Sequence, residues 1–434
     1  MVARRLVLAS TWTLAVLLAP MTALAQDPCA EPAARALVLG SGGSKGAFQA
    51  GAVYHLVVHR GCDFTEISGT SVGALNGALL AQAPRSDDPE VSLAQLRAAA
   101  EGLVEEWGGL TTSRAVMRSR PLGKVRFALF GLDSVENFEP LHEFVREHVE
   151  LDRLAAGREL RIGTMSLNDG RYREIVLNGD GRVDRASAHD FIAGSAIVPV
   201  FGRLPVITPP EGGAGLQFGD GGIRHATPIR SYFQACDGGG ACMPLTGANT
   251  PPHPPIEQIF VVVTSPYARY DDTRPVFDPK AIDARSGRIE DGRRILVRVV
   301  DLLVDTLYRD DLDDVLIYNE VLGALDAASA EPPFPLGSFN RVGRVSKPYE
   351  IAIVAPQREE SDPMSIFDVS PQKLHREMYC GCLAADEGLR VQYGVASQAE
   401  RCAERFPAVP GNRRRPFVAH EPAVCRADTG EPRP

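Results

Sequence analysis

The sequence predicts an α/β protein built on a mainly parallel sheet. Near the N-terminal end, short apolar runs alternate with helical ones: ALVLG from Ala36, AFQAGAVYHLVVHRG from Ala47, FTEIS from Phe64 and VGALNGALLAQA from Val72. That strand, helix, strand, helix order is what parallel strands joined by crossovers require. Both strands end in glycine-rich turns. Farther on, ELRIGTMSL, REIVLN, IEQIFVVVTSP and YEIAIVAP supply more strand-like runs.

Taken in order, the chain begins with Arg4-Arg5, the apolar run LVLASTWTLAVLLA and the small-x-small site Ala23-Leu24-Ala25. This pattern is that of a signal peptide over residues 1–25, cleaved before Gln26, and implies export to the periplasm or beyond the cell. The apolar run is short for a spanning helix. Residues 26–34 form a short leader, 35–395 the main domain and 396–434 a cysteine-containing tail. The first helix is closed by Gly61. The segment VRFALFGL (Val125–Leu132) is read as a buried cap helix feeding into ENFEPLHEFVREHV, because the apolar periodicity continues; an interfacial lipid-facing flap is the alternative. The stretch from Cys236 to Pro255 is a surface loop, residues 292–325 form a long or broken helix, and the chain after about Gln398 is turn-rich.

The 434 residues are 44% apolar and 23% charged, a globular composition, with a formal net charge of −9. Loss of Arg4 and Arg5 with the signal peptide makes it −11. Apart from Arg413-Arg414-Arg415 no basic block stands out, which argues against nucleic acid as a partner and against electrostatic docking on anionic lipid.

All eight cysteines follow the cleavage point, and an even number in an oxidising compartment favours disulfides. Cys236 and Cys242 bracket DGGGA and suit a local bridge. Cys29 and Cys62 each precede a strand at the same sheet edge, so their pairing is geometrically plausible. Cys380, Cys382, Cys402 and Cys425 can tie the tail down in pairs the sequence leaves open. None has a histidine at zinc-finger spacing, so a metal site is the minor reading; no cofactor is expected.

Gly69-Thr70-Ser71-Val72-Gly73 fits G-x-S-x-G at a strand-to-helix turn, a geometry that pushes a serine side chain out of the backbone. Ala74, Gly77, Ala78 and Ala81 let the following helix sit close to the sheet, with its positive end at the serine. The loop Gly40-Ser41-Gly42-Gly43-Ser44-Lys45-Gly46 ends the preceding strand. A right-handed crossover brings it to the same edge, where its main-chain amides suit an oxyanion. Nucleotide readings of this loop fit poorly: a dinucleotide fingerprint needs glycine where Lys45 stands, and a P-loop needs Ser or Thr after the lysine.

A hydroxyl nucleophile needs a base. None of the nine histidines is marked as one: His55 and His59 lie on the first helix, and His375 and His420 sit late. Asp220, in Phe218-Gly219-Asp220-Gly221-Gly222, follows a strand-like run and has glycines beside it, although a lone Asp-Gly-Gly is also an ordinary turn. Such a base must be desolvated or held against the hydroxyl, because an unperturbed aspartate titrates near about 3.9.

The glycine loop with its basic residue, G-x-S-x-G and the later D-G-G resemble the patatin-like phospholipase family over roughly residues 35–394. Ala193-Gly194-Ser195-Ala196-Ile197-Val198-Pro199 is similar to its small-residue segment before the aspartate, and Gly221-Gly222-Ile223-Arg224-His225-Ala226-Thr227-Pro228 to its segment after the aspartate. The family commonly has glycine where Ser41 stands. The resemblance implies a three-layer α/β fold with helices on both faces of the sheet. It also implies a Ser71/Asp220 dyad, an oxyanion hole from Gly42, Gly43, Ser44 and Lys45, and an elbow of Gly69, Thr70, Val72 and Gly73, with Gly221 and Gly222 completing the aspartate motif. The implied substrate is a phospholipid or other fatty acyl ester, met at a membrane or micelle surface. A Ser-His-Asp esterase using His375, and an idle lipid-binding member of the fold, are the competing readings.

Overall fold

The run RALVL forms β1 (Arg35–Leu39) and is buried along its whole length. Such a strand carries no polar alternation because both faces are covered. In the computed structural model, which describes residues 27–119, 134, 136–178, 184–209, 212–229, 232, 242–244, 256–267, 312–317, 319–320, 323–324, 348–356, 369–407 and 425, Leu37 and Leu39 face one apolar core. Ala36 and Val38 face a second, with Ile259, Val261, Ala226, Ile229, Leu312 and Val315. The sheet is therefore the middle of three layers.

After β1 come a 3-10 turn (Gly43–Lys45), α1 (Gly46–Tyr54), a π turn (His55–His59), β2 (Glu66–Thr70), α2 (Val72–Ala81) and α3 (Pro89–Gly109). A small ribbon, β3 (Arg118–Ser119) with β4 (Glu136–Asn137), leads to α4 (Glu139–His148), α5 (Leu151–Ala155), β5 (Glu159–Ser166), β6 (Tyr172–Val176) and α6 (Ala188–Ser195). The chain continues through β7 (Val206–Ile207), β8 (Leu216–Asp220), β9 (Cys242–Pro244), β10 (Gln258–Val262), β11 (Glu350–Val354), α7 (Pro371–Tyr393) and α8 (Ala399–Arg405). The strands lie in the order β11-β10-β1-β2-β5-β6-β9, with β8 added on β5. The run from β11 to β5 is parallel, whereas β6 and β8 are antiparallel to β5. No described helix is long and apolar enough to cross a membrane.

The expected strands and first two helices are present, and Gly61 closes the first helical run with a φ of 77°. Two expectations are corrected. Residues 242–244, expected in a loop, pair as β9 with Glu174–Val176, a ladder made by backbone alone and so without a side-chain signature. The segment after residue 398 contains α8, whose Cys402 is bound to α7. The signal peptide, the 125–132 cap and Cys236 of the proposed Cys236–Cys242 bridge lie outside the described residues, as does most of the 292–325 helix.

Cys29 and Cys62 are bridged, with Cα atoms 4.6 Å apart, as are Cys380–Cys425 and Cys382–Cys402. Helix α7 begins with a proline in its first turn and ends at Gly394, whose φ of 67° makes it a left-handed C-cap. It lies backbone against backbone on α1: a Cβ on Gly381 would overlap the Phe48 carbonyl, and one on Gly51 the Met378 carbonyl. Gly381→Ala is therefore expected to destabilise the protein by about 1–3 kcal/mol through overpacking. Gly102→Ala, in the middle of α3 with open space around it, should stabilise by about 1 kcal/mol. Thermal unfolding of the two variants checks the opposite signs.

Candidate active site

Parallel pairing sets Leu39 beside Gly69, so the segments leaving β1 and β2 emerge together. At the end of β2 the backbone turns sharply: Ser71 has φ 58° and ψ −125°, a conformation that a non-glycine residue holds only under restraint. The restraint is visible. The Ser71 N–H donates to Ser195 Oγ at 2.9 Å, and that hydroxyl donates onward to the Gly163 carbonyl at 2.7 Å. The elbow also needs its glycines, since a Cβ on Gly69 would strike the Gly73 carbonyl and one on Gly73 the Leu39 and Gly40 carbonyls. Thr70 is buried with its hydroxyl 3.2 Å from that of Tyr172, and Val72 packs over Gly46.

Strand β8 delivers Asp220 opposite Thr164 of β5. Ser71 Oγ donates to Asp220 Oδ2 at 2.7 Å, while Asp220 Oδ1 accepts from the Gly222 N–H at 2.7 Å. Gly221 leaves no room for a side chain over Gly163, and Gly222 lies against Ser41. Both partners are buried, Ser71 at 5% exposure and Asp220 at 6%. Burial raises the Asp220 carboxyl to about 6, against the downward pull of the Ser71 and Gly222 hydrogen bonds. The sequence-derived pair is thus a short hydrogen-bonded couple whose carboxyl has the raised pKa useful in a base.

The glycine loop is fixed from behind. Gln49 Nε2 donates to the Gly40 carbonyl at 2.6 Å, Asn76 Nδ2 to the Gly46 carbonyl at 3.0 Å and to Gln49 Oε1 at 2.9 Å, and Trp107 Nε1 to Asn76 Oδ1 at 2.9 Å. Thr264 Oγ1 donates to the Ser41 carbonyl at 2.5 Å, and Lys373 Nζ, from α7, to Ser44 Oγ at 2.9 Å. Among the described residues no acceptor meets the Gly42 or Gly43 N–H. The Lys45 N–H donates to the Gly42 carbonyl at 3.1 Å, closing the 3-10 turn. The Lys45 amide, one of the four expected to form the hole with those of Gly42, Gly43 and Ser44, is thus engaged within the loop. Ser41, where glycine was expected by resemblance, gives its N–H to the Ala226 carbonyl.

Sequence reasoning assigned no roles to Ser195, Gln49, Asn76, Thr264 or Lys373. Gln49 and Asn76 do carry a signal, being polar residues inside the apolar small-residue helices GAFQAGAVY and VGALNGALLA. Among the described residues the side chain that accepts from Ser71 Oγ is Asp220 and not a histidine. His375 packs edge-on to Phe406, and His225 edge-on to Tyr172. His55 and His59 face the Cys382–Cys402 disulfide, and burial lowers them to about 3 and about 4. His420 lies outside the described residues. Ser195→Ala should leave the Ser71 N–H buried without its acceptor, lowering kcat by roughly tenfold to a hundredfold with little change in KM, since about 1–3 kcal/mol is at stake. Steady-state kinetics on an ester substrate test this.

A hydroxyl seated on a carboxylate beside open main-chain amides is an arrangement suited to acyl transfer, set here at the carboxyl edge of an α/β sheet. Residues 37–232 match the family model of patatin-like phospholipases. The match supports lipid acyl hydrolysis as the general activity. No curated protein matches the chain. Several solved structures are similar, among them the following two. The crystal structure of VipD from Legionella pneumophila is 10% identical with a TM-score of 0.34, over 83% of this chain and 67% of that one. The heterodimeric complex ExoU-SpcU from the type III secretion system of Pseudomonas aeruginosa is 22% identical with a TM-score of 0.20, over 38% of this chain and 36% of that chain's length.

Proposed function

We propose that the protein is an exported serine acyl hydrolase of the phospholipase A or lysophospholipase type, acting without a cofactor on fatty acyl esters at a membrane or micelle surface. The observation that carries this reading is the 2.7 Å hydrogen bond from Ser71 Oγ to the buried Asp220 carboxylate. Asp220 takes the hydroxyl proton as Ser71 Oγ bonds to the ester carbonyl carbon. The carbonyl becomes an oxyanion beside the Gly42, Gly43 and Ser44 amides. Collapse releases the alcohol part of the lipid, which leaves with the proton from Asp220. Water then attacks the acyl-Ser71 ester, its proton passing to Asp220 and from there to Ser71 Oγ as the C–O bond to serine breaks, and the fatty acid departs.

Labelling with a fluorophosphonate tests the dyad without knowledge of the substrate. Ser71 should be the modified residue, with a labelling rate that rises through an apparent pKa of about 6 as Asp220 ionises and levels off above it. Replacing each histidine in turn should leave labelling intact. A rate that depends on His375 instead would support the Ser-His-Asp reading, and an unreactive Ser71 the idle one. A panel of phospholipids and p-nitrophenyl esters, with analysis of the acids released, then defines the substrate. N-terminal sequencing of exported protein beginning at Gln26 tests the leader.

A further inference from the structure

We propose that His55, His59, Cys382 and Cys402 form a zinc site that alternates with a disulfide: the two sulfurs are bonded to each other in the oxidised protein, and a four-coordinate Zn²⁺ joins all four side chains after reduction. The four ligand atoms come from three elements far apart in the chain, the π turn after α1, the middle of α7, and α8. Among the described residues they form the group of histidines, cysteines and carboxylates whose donor atoms lie within 4.8 Å of one another.

Three of the six edges of a tetrahedral site are already in place. His55 Nδ1 lies 3.2 Å from His59 Nδ1, 3.8 Å from Cys382 Sγ and 3.7 Å from Cys402 Sγ. With Zn–N near 2.0–2.1 Å and Zn–S near 2.3 Å, tetrahedral edges are roughly 3.3 Å for N to N, 3.6 Å for N to S and 3.8 Å for S to S. The three measured edges match. Metal binding requires the sulfurs, now bonded, to part to the S to S edge, with the His59 ring, within 4.8 Å of both, closing on them.

The surroundings suit a metal as well. His55, Cys382 and Cys402 are completely buried. The other ring nitrogen of His55, Nε2, faces Asp386 Oδ1 at 3.5 Å, the orienting carboxylate that metal-bound histidines commonly have. In the oxidised form Arg60 Nε donates to His55 Nε2 at 3.3 Å and Arg60 Nη2 to Asp386 Oδ1 at 2.8 Å; metal binding at Nδ1 places the imidazole proton on Nε2, which then donates to Asp386 while Arg60 keeps its bond to that carboxylate, so the outer pair is balanced in charge. Two thiolates, two neutral imidazoles and Zn²⁺ sum to zero. A neutral buried group is therefore replaced by another neutral one.

Chemically, a dithiol reductant supplies two electrons and two protons to the Cys382–Cys402 bond and is itself oxidised to a disulfide. Zn²⁺ then displaces the two thiol protons as two Zn–S bonds form, while His55 and His59 each add a Zn–N bond from Nδ1. The tie between α7, α8 and the end of α1 is kept in both states. This inference does not depend on the acyl hydrolase chemistry.

The full chain reduced anaerobically with a phosphine, then given ZnCl₂ or CoCl₂ and desalted, tests it. The expected result is about one metal ion per chain, with cobalt showing four-coordinate d–d bands and a thiolate charge-transfer band. Zinc should protect Cys382 and Cys402 from alkylation while Cys29, Cys62, Cys380 and Cys425 react. Asp386→Asn should weaken zinc affinity by about 10–100-fold. His59→Asn should weaken it at least as much and change the cobalt bands. Absence of bound metal, binding undiminished in the Cys382→Ser/Cys402→Ser variant, or unfolding on reduction that zinc does not reverse would each overturn the proposal.

Discussion

Asp220→Asn is expected to reduce ester turnover by about 10⁴-fold or more, equivalent to roughly 5 kcal/mol in the transition state, while making the folded protein more stable at neutral pH. The first effect arises because the base is lost with the hydroxyl still in place. The second is a matter of linkage. The Asp220 carboxyl titrates near about 6 in the fold and near about 3.9 in an unfolded chain. A raised folded value means that the neutral form is favoured by folding, so the stability it contributes is complete below pH 4 and lost as pH rises through about 6. Above that the fold carries a buried charge whose penalty is on the order of 3 kcal/mol. Asparagine keeps an oxygen for the Gly222 N–H, offers an amide to Ser71 Oγ and never ionises. Its advantage should reach about 1–3 kcal/mol at pH 8 and vanish near pH 4. Unfolding measured at both values, beside kinetics, separates this from a merely damaged site.

Gly42→Ala should lower kcat by about 10²–10³-fold, as loss of an oxyanion donor does, with Ser71 and Asp220 untouched. Gly42 has φ 154°, and a Cβ there would run into the Thr264 side chain, which itself holds the Ser41 carbonyl. The loop must move, and its amides with it. Thr264→Gly, harmful alone, should recover part of the loss on the Gly42→Ala background by making space. The sign of that coupling in a double-mutant cycle is the measurement. Purely additive losses would place the damage outside the loop.

These two predictions draw on different levels of legibility. Ser71, Gly69, Gly73, the glycine loop and Asp220-Gly221-Gly222 could be read because each requirement is local: a strained turn or an absent side chain writes itself into a few adjacent residues. Their supports could not. Ser195 meets Ser71 across 124 residues, Thr264 meets Ser41 across 223 and Lys373 meets Ser44 across 329, and no pattern in one segment announces the other. His55 is likewise 327 residues from Cys382, so a test by zinc-finger spacing was blind to the group they form. The strands were visible as buried β-branched runs. The 3-10 turn that occupies the Lys45 amide was not, because the choice between an open loop and a closed turn rests on one backbone bond.

The sheet order carries a consequence for dissection of the molecule. The segment matching the family ends at residue 232, yet β1, which leads into the glycine loop, has β10 as its neighbour on one side. A fragment trimmed to 37–232 would retain Ser71 and Asp220 while stripping β1 of that partner and baring a raw, apolar sheet margin. Such margins recruit other chains. The segment recognised by sequence is thus smaller than the sheet into which its first strand is built.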